Sequence, residues 1–159
     1  MNYATAELYD QHPDKVEVGL PLLRDYGGRR SFYGEVFTLR VFEDNSLVRR
    51  ALEQPGRGRV LVVDGGASLN CALVGDLLAG LALEHHWGGL VVNGCVRDSQ
   101  ALAALPLGIK ALNTNPRKSV KKGQGEEAVE VHFAGLTFRP GQWIYCDEDG
   151  ILLAERKLH

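Results

Sequence analysis

Two short runs, Val60-Leu61-Val62-Val63 and Leu90-Val91-Val92, are continuously apolar and largely β-branched, and each is bounded by turn residues. A strand with one solvated face alternates apolar with polar residues. A run without alternation belongs to a strand buried on both faces, as at the centre of a parallel sheet. Between the two runs, Leu77, Leu78, Leu81, Ala82 and Trp87 recur at helical spacing as far as Gly88-Gly89. Strand, helix and strand in that order make an α/β core. A chain of 159 residues is about one domain long, so residues 1–159 are read as a single domain.

Glycine supplies the punctuation. There are 19 glycines in the 159 residues, well above the usual share of roughly 7%. They fall singly or in pairs between short apolar runs and form no low-complexity tract, so many tight turns join many short elements. The spacing predicts an N-terminal helix over 5–12, with Thr5 as cap and Pro13 as stop, and a strand over 32–42. A helix over 46–53 follows, capped by Asp44 and ended by Pro55-Gly56. A brief strand is expected at 71–74, a short helix over 99–105 and a strand over 108–112. After that, alternation over 129–133, 142–146 and 151–153, with a turn at Asp149-Gly150, predicts an antiparallel β tail. The fold class is therefore α/β, with a mixed sheet in the first two-thirds.

Charge and cysteine usage narrow the function classes. Lys plus Arg number 18 against 20 Asp plus Glu, a net charge of −2. That balance argues against nucleic acid as a direct partner, because a binder needs a basic stripe to displace counterions. No apolar stretch approaches the roughly 18 residues that span a bilayer, and the N-terminus lacks a signal-peptide pattern. Cys71, Cys95 and Cys146 are few, odd in number and widely spaced, which fits a reducing cytoplasm and buried small residues. Gly123-Gln124-Gly125-Glu126-Glu127-Ala128 matches a dinucleotide fingerprint by letter but follows Lys121-Lys122, not a strand. Gly65-Gly66 reads as a structural turn, His85-His86 as a helix end, and Arg117-Lys118 with Lys121-Lys122 as a solvated basic loop.

One constellation stands apart. Gly75-Asp76 opens the central helix, and Arg97-Asp98 follows the second buried run, with twenty residues between Asp76 and Arg97. Open α/β sheets place their sites at the carboxyl ends of strands. A helix start there exposes the N–H groups of Leu77 and Leu78 at a positive dipole end. With Arg97 these groups suit a small carboxylate, and the carboxylates of Asp76 and Asp98 suit a hard divalent cation such as Mg²⁺. A plainer arrangement satisfies the same residues: Asp76 and Asp98 as helix N-caps, with Arg97 in an ion pair.

The spacing from Gly75-Asp76 to Arg97-Asp98 resembles the motif of the 4-hydroxy-4-methyl-2-oxoglutarate aldolases. The wider chain resembles the regulator of ribonuclease activity A branch of the same RraA-like superfamily. The matching stretches are Gly27-Gly28-Arg29 with Ser31-Phe32, then Phe42-Glu43-Asp44-Asn45, and the run from Gly58 to Gly66. Gly135-Leu136-Thr137-Phe138 leading to Pro140-Gly141, and Asp147-Glu148-Asp149-Gly150-Ile151, complete the set. The resemblance implies a swivelling α/β/β sandwich, assembled as a homotrimer with sites between subunits. It implies a metal-dependent lyase that cleaves 2-oxo acids to pyruvate, by retro-aldol reaction or by decarboxylation of oxaloacetate. By that resemblance Gly75, Asp76, Leu77 and Leu78 hold the substrate, and Arg97 holds its pyruvate-like end. Asp98 ligates Mg²⁺ or Mn²⁺, directly or through water, and Arg97 and Asp76 are the catalytic pair. The general base for the aldol step stays open among Asp64, Asp76, a metal-bound water and a residue of another subunit.

Many aldolase members carry a further acidic residue four places beyond the arginine, where this chain has Ala101. The regulator branch implies a different role, a trimer that binds ribonuclease E without chemistry. Some of its members lack the acidic residues that stand here as Asp76 and Asp98. A methyl-transfer role, an older label for such sequences, finds no glycine-rich methyl-donor loop in this chain.

Overall fold

The structure, a computed structural model, describes residues 3–159. In chain order its elements are α1 (Thr5–Gln11), β1 (Val16–Val18), β2 (Arg24–Asp25), β3 (Phe32–Arg40), α2 (Ser46–Leu52), β4 (Val60–Asp64), β5 (Ala72–Val74) and α3 (Asp76–Glu84). There follow β6 (Gly89–Val96), α4 (Ser99–Ala103), β7 (Ile109–Thr114), β8 (Glu126–Glu127), β9 (Val131–Phe133), β10 (Leu136–Phe138), β11 (Trp143–Asp147) and β12 (Gly150–Ala154). One large mixed sheet runs β1-β12-β11-β3-β4-β6-β7-β2, with β5 beside β6 and β8 beside β3. Its centre, β3-β4-β6-β7, is parallel, and β11 and β12 extend it antiparallel. A separate β9-β10 hairpin lies over one face.

The two apolar runs form the middle of this sheet. Successive side chains of β4 point to opposite faces, so Leu61 and Val63 enter a core shared with α2, α3 and α4. Val60 and Val62 enter a second core with Val131, Phe133, Leu136 and Phe138 of the hairpin. All four are fully buried, which is why the run needs no polar residue. Helices on one face and a β layer on the other give the expected α/β/β layering.

Several boundaries differ from expectation. The α1 cap is Ala4, and Thr5 is the first helical residue; its N–H and hydroxyl both donate to the Asp147 carboxylate at 2.7 Å, so the capping acceptor lies 142 residues away. The α2 N-cap position falls on Asn45, while Asp44 accepts from the Ser46 N–H and hydroxyl one residue outside the helix. Helix α3 stops at Glu84, and His86 turns the chain with φ 64°. Strand β6 runs on beyond the apolar run Leu90–Val92 through Gly94-Cys95-Val96, buried throughout. Gly123–Ala128 enters β8 with no helix, in keeping with its rejection as a dinucleotide loop. Among the described residues no helix is long and apolar enough to cross a membrane.

Candidate active site

The strands that deliver the two halves of the motif are neighbours. Strand β5 pairs parallel with the end of β6, setting Ala72 against Cys95 and Val74 against Val96. Gly75-Asp76 and Arg97-Asp98 therefore leave the sheet side by side, and the Arg97 N–H donates to the Val74 carbonyl at 2.9 Å. They open into a cleft of about 330 Å³ at the carboxyl ends of the parallel strands, lined among others by Gly75, Asp76, Leu77, Leu78, Arg97 and Asp98. The six residues singled out from the sequence are thus brought together.

Local backbone geometry aims them. Asp98 is left-handed, with φ 59° and ψ 41°, a conformation aspartate tolerates better than most residues. The sharp turn swings its side chain back over the α3 start, where Oδ2 accepts the Asp76 N–H at 2.9 Å. Asp98 thus caps its neighbour's helix and gives no side-chain cap to its own. Gly75, not Asp76, occupies the α3 N-cap position. A Cβ on Gly75 would lie 2.6 Å from Asp98 Oδ2 and 3.3 Å from Arg97 Cγ, so the missing side chain is what lets the two halves meet. The first intrahelical bond runs from Ala79 N–H to Gly75 O, leaving the Leu77 and Leu78 N–H groups ahead of it at the positive helix end. Arg97 makes no ion pair among the described residues, and its guanidinium's one hydrogen bond to them is a long 3.4 Å bond to the Pro116 carbonyl. Of the plainer arrangement the chain keeps only Asp98 at the α4 N-cap position; Asp76 is not an N-cap, and Arg97 has no ion pair among the described residues.

The opposite wall escaped sequence reasoning. The segment after β7 returns along β5 through the Ala72–Lys118 bridge and the Ala72 N–H to Arg117 carbonyl bond of 2.8 Å. It brings Lys118, Ser119 and Lys121 to the cleft, and α2 adds Arg49. The basic loop read as solvated therefore supplies two of the cleft's four cations; the carboxylates lining the cleft are Asp76 and Asp98, and Arg49 also pairs with Glu53 at 3.5 Å. Asp44 holds this segment in place: its Oδ2 accepts the Lys122 and Gln124 N–H groups at 2.8 and 3.1 Å. Burial alone would raise the Asp44 pKa, but hydrogen bonds from Ser46, Gln124 and Lys122 bring it down to about 2. The Ser119 hydroxyl is buried on the cleft wall with no hydrogen-bond partner among the described residues. The only local signal for any of this was the cluster of lysines.

Asp64 turns elsewhere. Its Oδ1 accepts from the Gly66 N–H and Asn93 amide, both at 2.9 Å, and it borders a different hollow with Arg40 and Phe42. Cys71, Cys95 and Cys146 are free and buried. Desolvation raises all three thiol pKa values, which suits inert core residues.

Among the described residues no three His, Cys, Asp or Glu side chains cluster as a metal-ligand group. Mg²⁺ is nonetheless commonly held by one or two carboxylates, several waters and the substrate itself. Asp98 with Asp76, beside an orphaned hydroxyl, fits that donor chemistry and does not fit a closed all-protein cage.

The family described as RraA-like, Aldolase/RraA, matches residues 5–153. A protein of Alkalilimnicola ehrlichii, provisionally named a 4-hydroxy-4-methyl-2-oxoglutarate aldolase, is 56% identical over 99% of this chain and 98% of its own length. One of Aromatoleum aromaticum with the same provisional name is 52% identical over 99% of both. Two solved structures superpose closely. One is described as an S-adenosylmethionine:2-dimethylmenaquinone methyltransferase from Geobacillus kaustophilus, at TM-score 0.96 and 44% identity, covering 98% of this chain and 97% of that one. The other is described as the RNA-processing inhibitor RraA from Thermus thermophilis, at TM-score 0.95 and 45% identity, covering 100% and 96%.

Proposed function

Since the chain belongs to the RraA-like family, we propose that it is a carbon–carbon lyase that cleaves 4-hydroxy-4-methyl-2-oxoglutarate to two molecules of pyruvate and also decarboxylates oxaloacetate. The observation that carries this reading is the convergence of the α3 start, Arg97 and Asp98 on one cationic cleft, together with the provisional aldolase names of relatives about half identical over nearly their full length.

The substrate's C1 carboxylate meets the Leu77 and Leu78 N–H groups and the Arg97 guanidinium, a fork suited to carboxylate geometry. The second carboxylate is attracted by Lys118, Lys121 and Arg49 across the cleft. In the retro-aldol direction a base removes the 4-hydroxyl proton and the C3–C4 bond breaks. The electron pair then moves onto C3 and the 2-oxo oxygen as C4 becomes a carbonyl, and the enolate takes a proton at C3, returned by the protonated base, to give the second pyruvate. Asp76 serves as that base, since it lines the cleft and its carboxylate takes no hydrogen bond among the described residues. Arg97 provides fixed positive charge beside the oxygen on which negative charge accumulates, often the largest catalytic contribution. A divalent cation, Mg²⁺ or Mn²⁺, held by Asp98 would supply Lewis-acid polarisation of the 2-oxo group. Oxaloacetate needs no base, because the breaking bond releases CO₂. We further propose that a homotrimer in the cytoplasm carries the activity, with neighbouring subunits completing each site.

The test is pyruvate release from both substrates with Mg²⁺, with Mn²⁺ and after EDTA stripping. Release above background, abolished by EDTA and restored by metal, is expected; equal rates with and without metal would remove the cation from the reaction. Similarity to the RNA-processing inhibitor RraA favours a second role. Retention of a ribonuclease E scaffold segment by the immobilised protein would support it, and the two roles can coexist.

A further inference from the structure

At the amino ends of the same parallel strands lies a second cavity of about 490 Å³, formed by the segments entering β3, β4 and β6. Arg29, Arg57 and Lys157 line it, and no Asp or Glu does among the described residues. Among the described residues none of the three has an ion-pair partner. Uncompensated cations repel one another, so three around one hollow stabilise an anion more than they stabilise the fold. The wall beside them is aromatic. Tyr33 and Trp143 present near-parallel rings 6.4 Å apart at 28°, and the Lys157 ammonium lies 5.2 Å from the Trp143 ring centroid.

The turn that carries Arg57 holds it against local preference. The Arg59 N–H donates to the Gly56 carbonyl at 3.0 Å, and the two central residues have φ values of 57° and 78°. That is a type I′ pattern, in which asparagine or glycine is favoured at the first central position. An arginine there carries backbone strain, and strained residues concentrate at binding sites. Gly58 opens the floor beside it, since a Cβ there would meet nothing within 4 Å.

We infer that this cavity binds a nucleoside monophosphate, with its base stacked on Trp143 and Tyr33 and its phosphate held by Arg57, Arg29 and Lys157. Three cations match a phosphate dianion better than an aromatic monocarboxylate, and the volume is in the range of small-molecule sites. The site lies at the opposite end of the strands from the Arg97 cleft, so it stands whether or not that cleft is a lyase.

Titrating the full chain with AMP, while following tryptophan fluorescence, tests the inference. Trp143 is half-buried at this cavity, whereas Trp87 is buried beneath Arg59. Saturable quenching is expected with AMP and not in Trp143→Phe. Adenosine and inorganic phosphate should each bind at least ~10-fold more weakly, having lost one half of the contact. Lys157→Ala should weaken AMP by a similar factor. Arg57→Gly should do so without lowering the melting temperature, because glycine relieves the strain, and pyruvate release should be unchanged. No saturable binding would overturn the inference, as would affinity untouched by the Arg57 and Lys157 substitutions. Phosphate binding as tightly as AMP would remove the base, and a short single-stranded RNA binding ~100-fold more tightly than AMP would make this a polymer site.

Discussion

Single atoms decide whether the cleft works. Gly75 has φ −126°, a backbone any residue adopts, so its requirement is spatial: Gly75→Ala must displace the Asp98 carboxylate. A misplacement of that kind costs on the order of 10²-fold in rate, which pyruvate release at saturating substrate will register. Asp98→Asn makes a finer cut. The amide oxygen can still accept the Asp76 N–H, so the melting temperature should hold while metal-supported turnover falls by ~10²-fold or more. Loss of stability equal to the loss of rate would mark Asp98 as a cap alone. Ser119 gives the converse case. Its hydroxyl has no partner among the described residues, so Ser119→Ala should leave stability within about 0.5 kcal/mol. If substrate takes that hydroxyl, KM should rise several-fold, and unchanged kinetics would exclude the contact. Gly75, Asp76, Arg97 and Asp98 were legible in the sequence because each pair sits at the exit of a buried strand. Ser119 was not, because nothing in its neighbours shows that the segment folds back over β5.

The elements most dependent on distant partners were the least legible. β4 and β6 announce themselves by unbroken apolar runs, and α3 by its period. β1, β2 and β8 are two or three residues long and exist because β12, β7 and β3 offer them an edge, which local composition does not encode. The α1 cap shows the same dependence, with Thr5 bound to Asp147 of β11. Asp44 is the clearest instance: visible as a cap, it in fact ties α2 to the segment bearing Lys118, Ser119 and Lys121. Its folded pKa of about 2 lies below the ordinary carboxylate value near 4. A depressed pKa means the group stabilises the fold fully above the unfolded value and loses that contribution as pH falls through the folded one. Urea unfolding should therefore show wild-type stability falling between about pH 4 and pH 2 more steeply than that of Asp44→Asn. The variant should also be less stable at pH 7 and bind substrate more weakly. Parallel pH curves would show that Asp44 does not sense acid.

Across the whole molecule, the charges of the cleft that one chain builds are unbalanced. It offers two carboxylates against four cations, and Ala101 stands where a further acid is expected. Its rim is apolar and open: Leu77 is 78% exposed and Val120, flanked by cleft residues, 50%. Exposed apolar side chains at the mouth of a polar site are what a neighbouring subunit would cover, and closed rings are a common solution for identical chains. Covering them would shield the cleft from water, strengthening every charge contact inside it. Three 17.4 kDa chains would sediment at about 52 kDa. If the neighbour completes each site, pyruvate release per chain should fall on dilution in step with loss of the 52 kDa species, and a crowding agent or higher protein concentration should restore it. Raising salt should increase KM for these dianionic substrates more than it lowers kcat, because screening acts on their attraction to the cationic cleft. A 17.4 kDa species with undiminished turnover would show that each protomer is a complete catalyst, and that Leu77 and Val120 are exposed for some other reason.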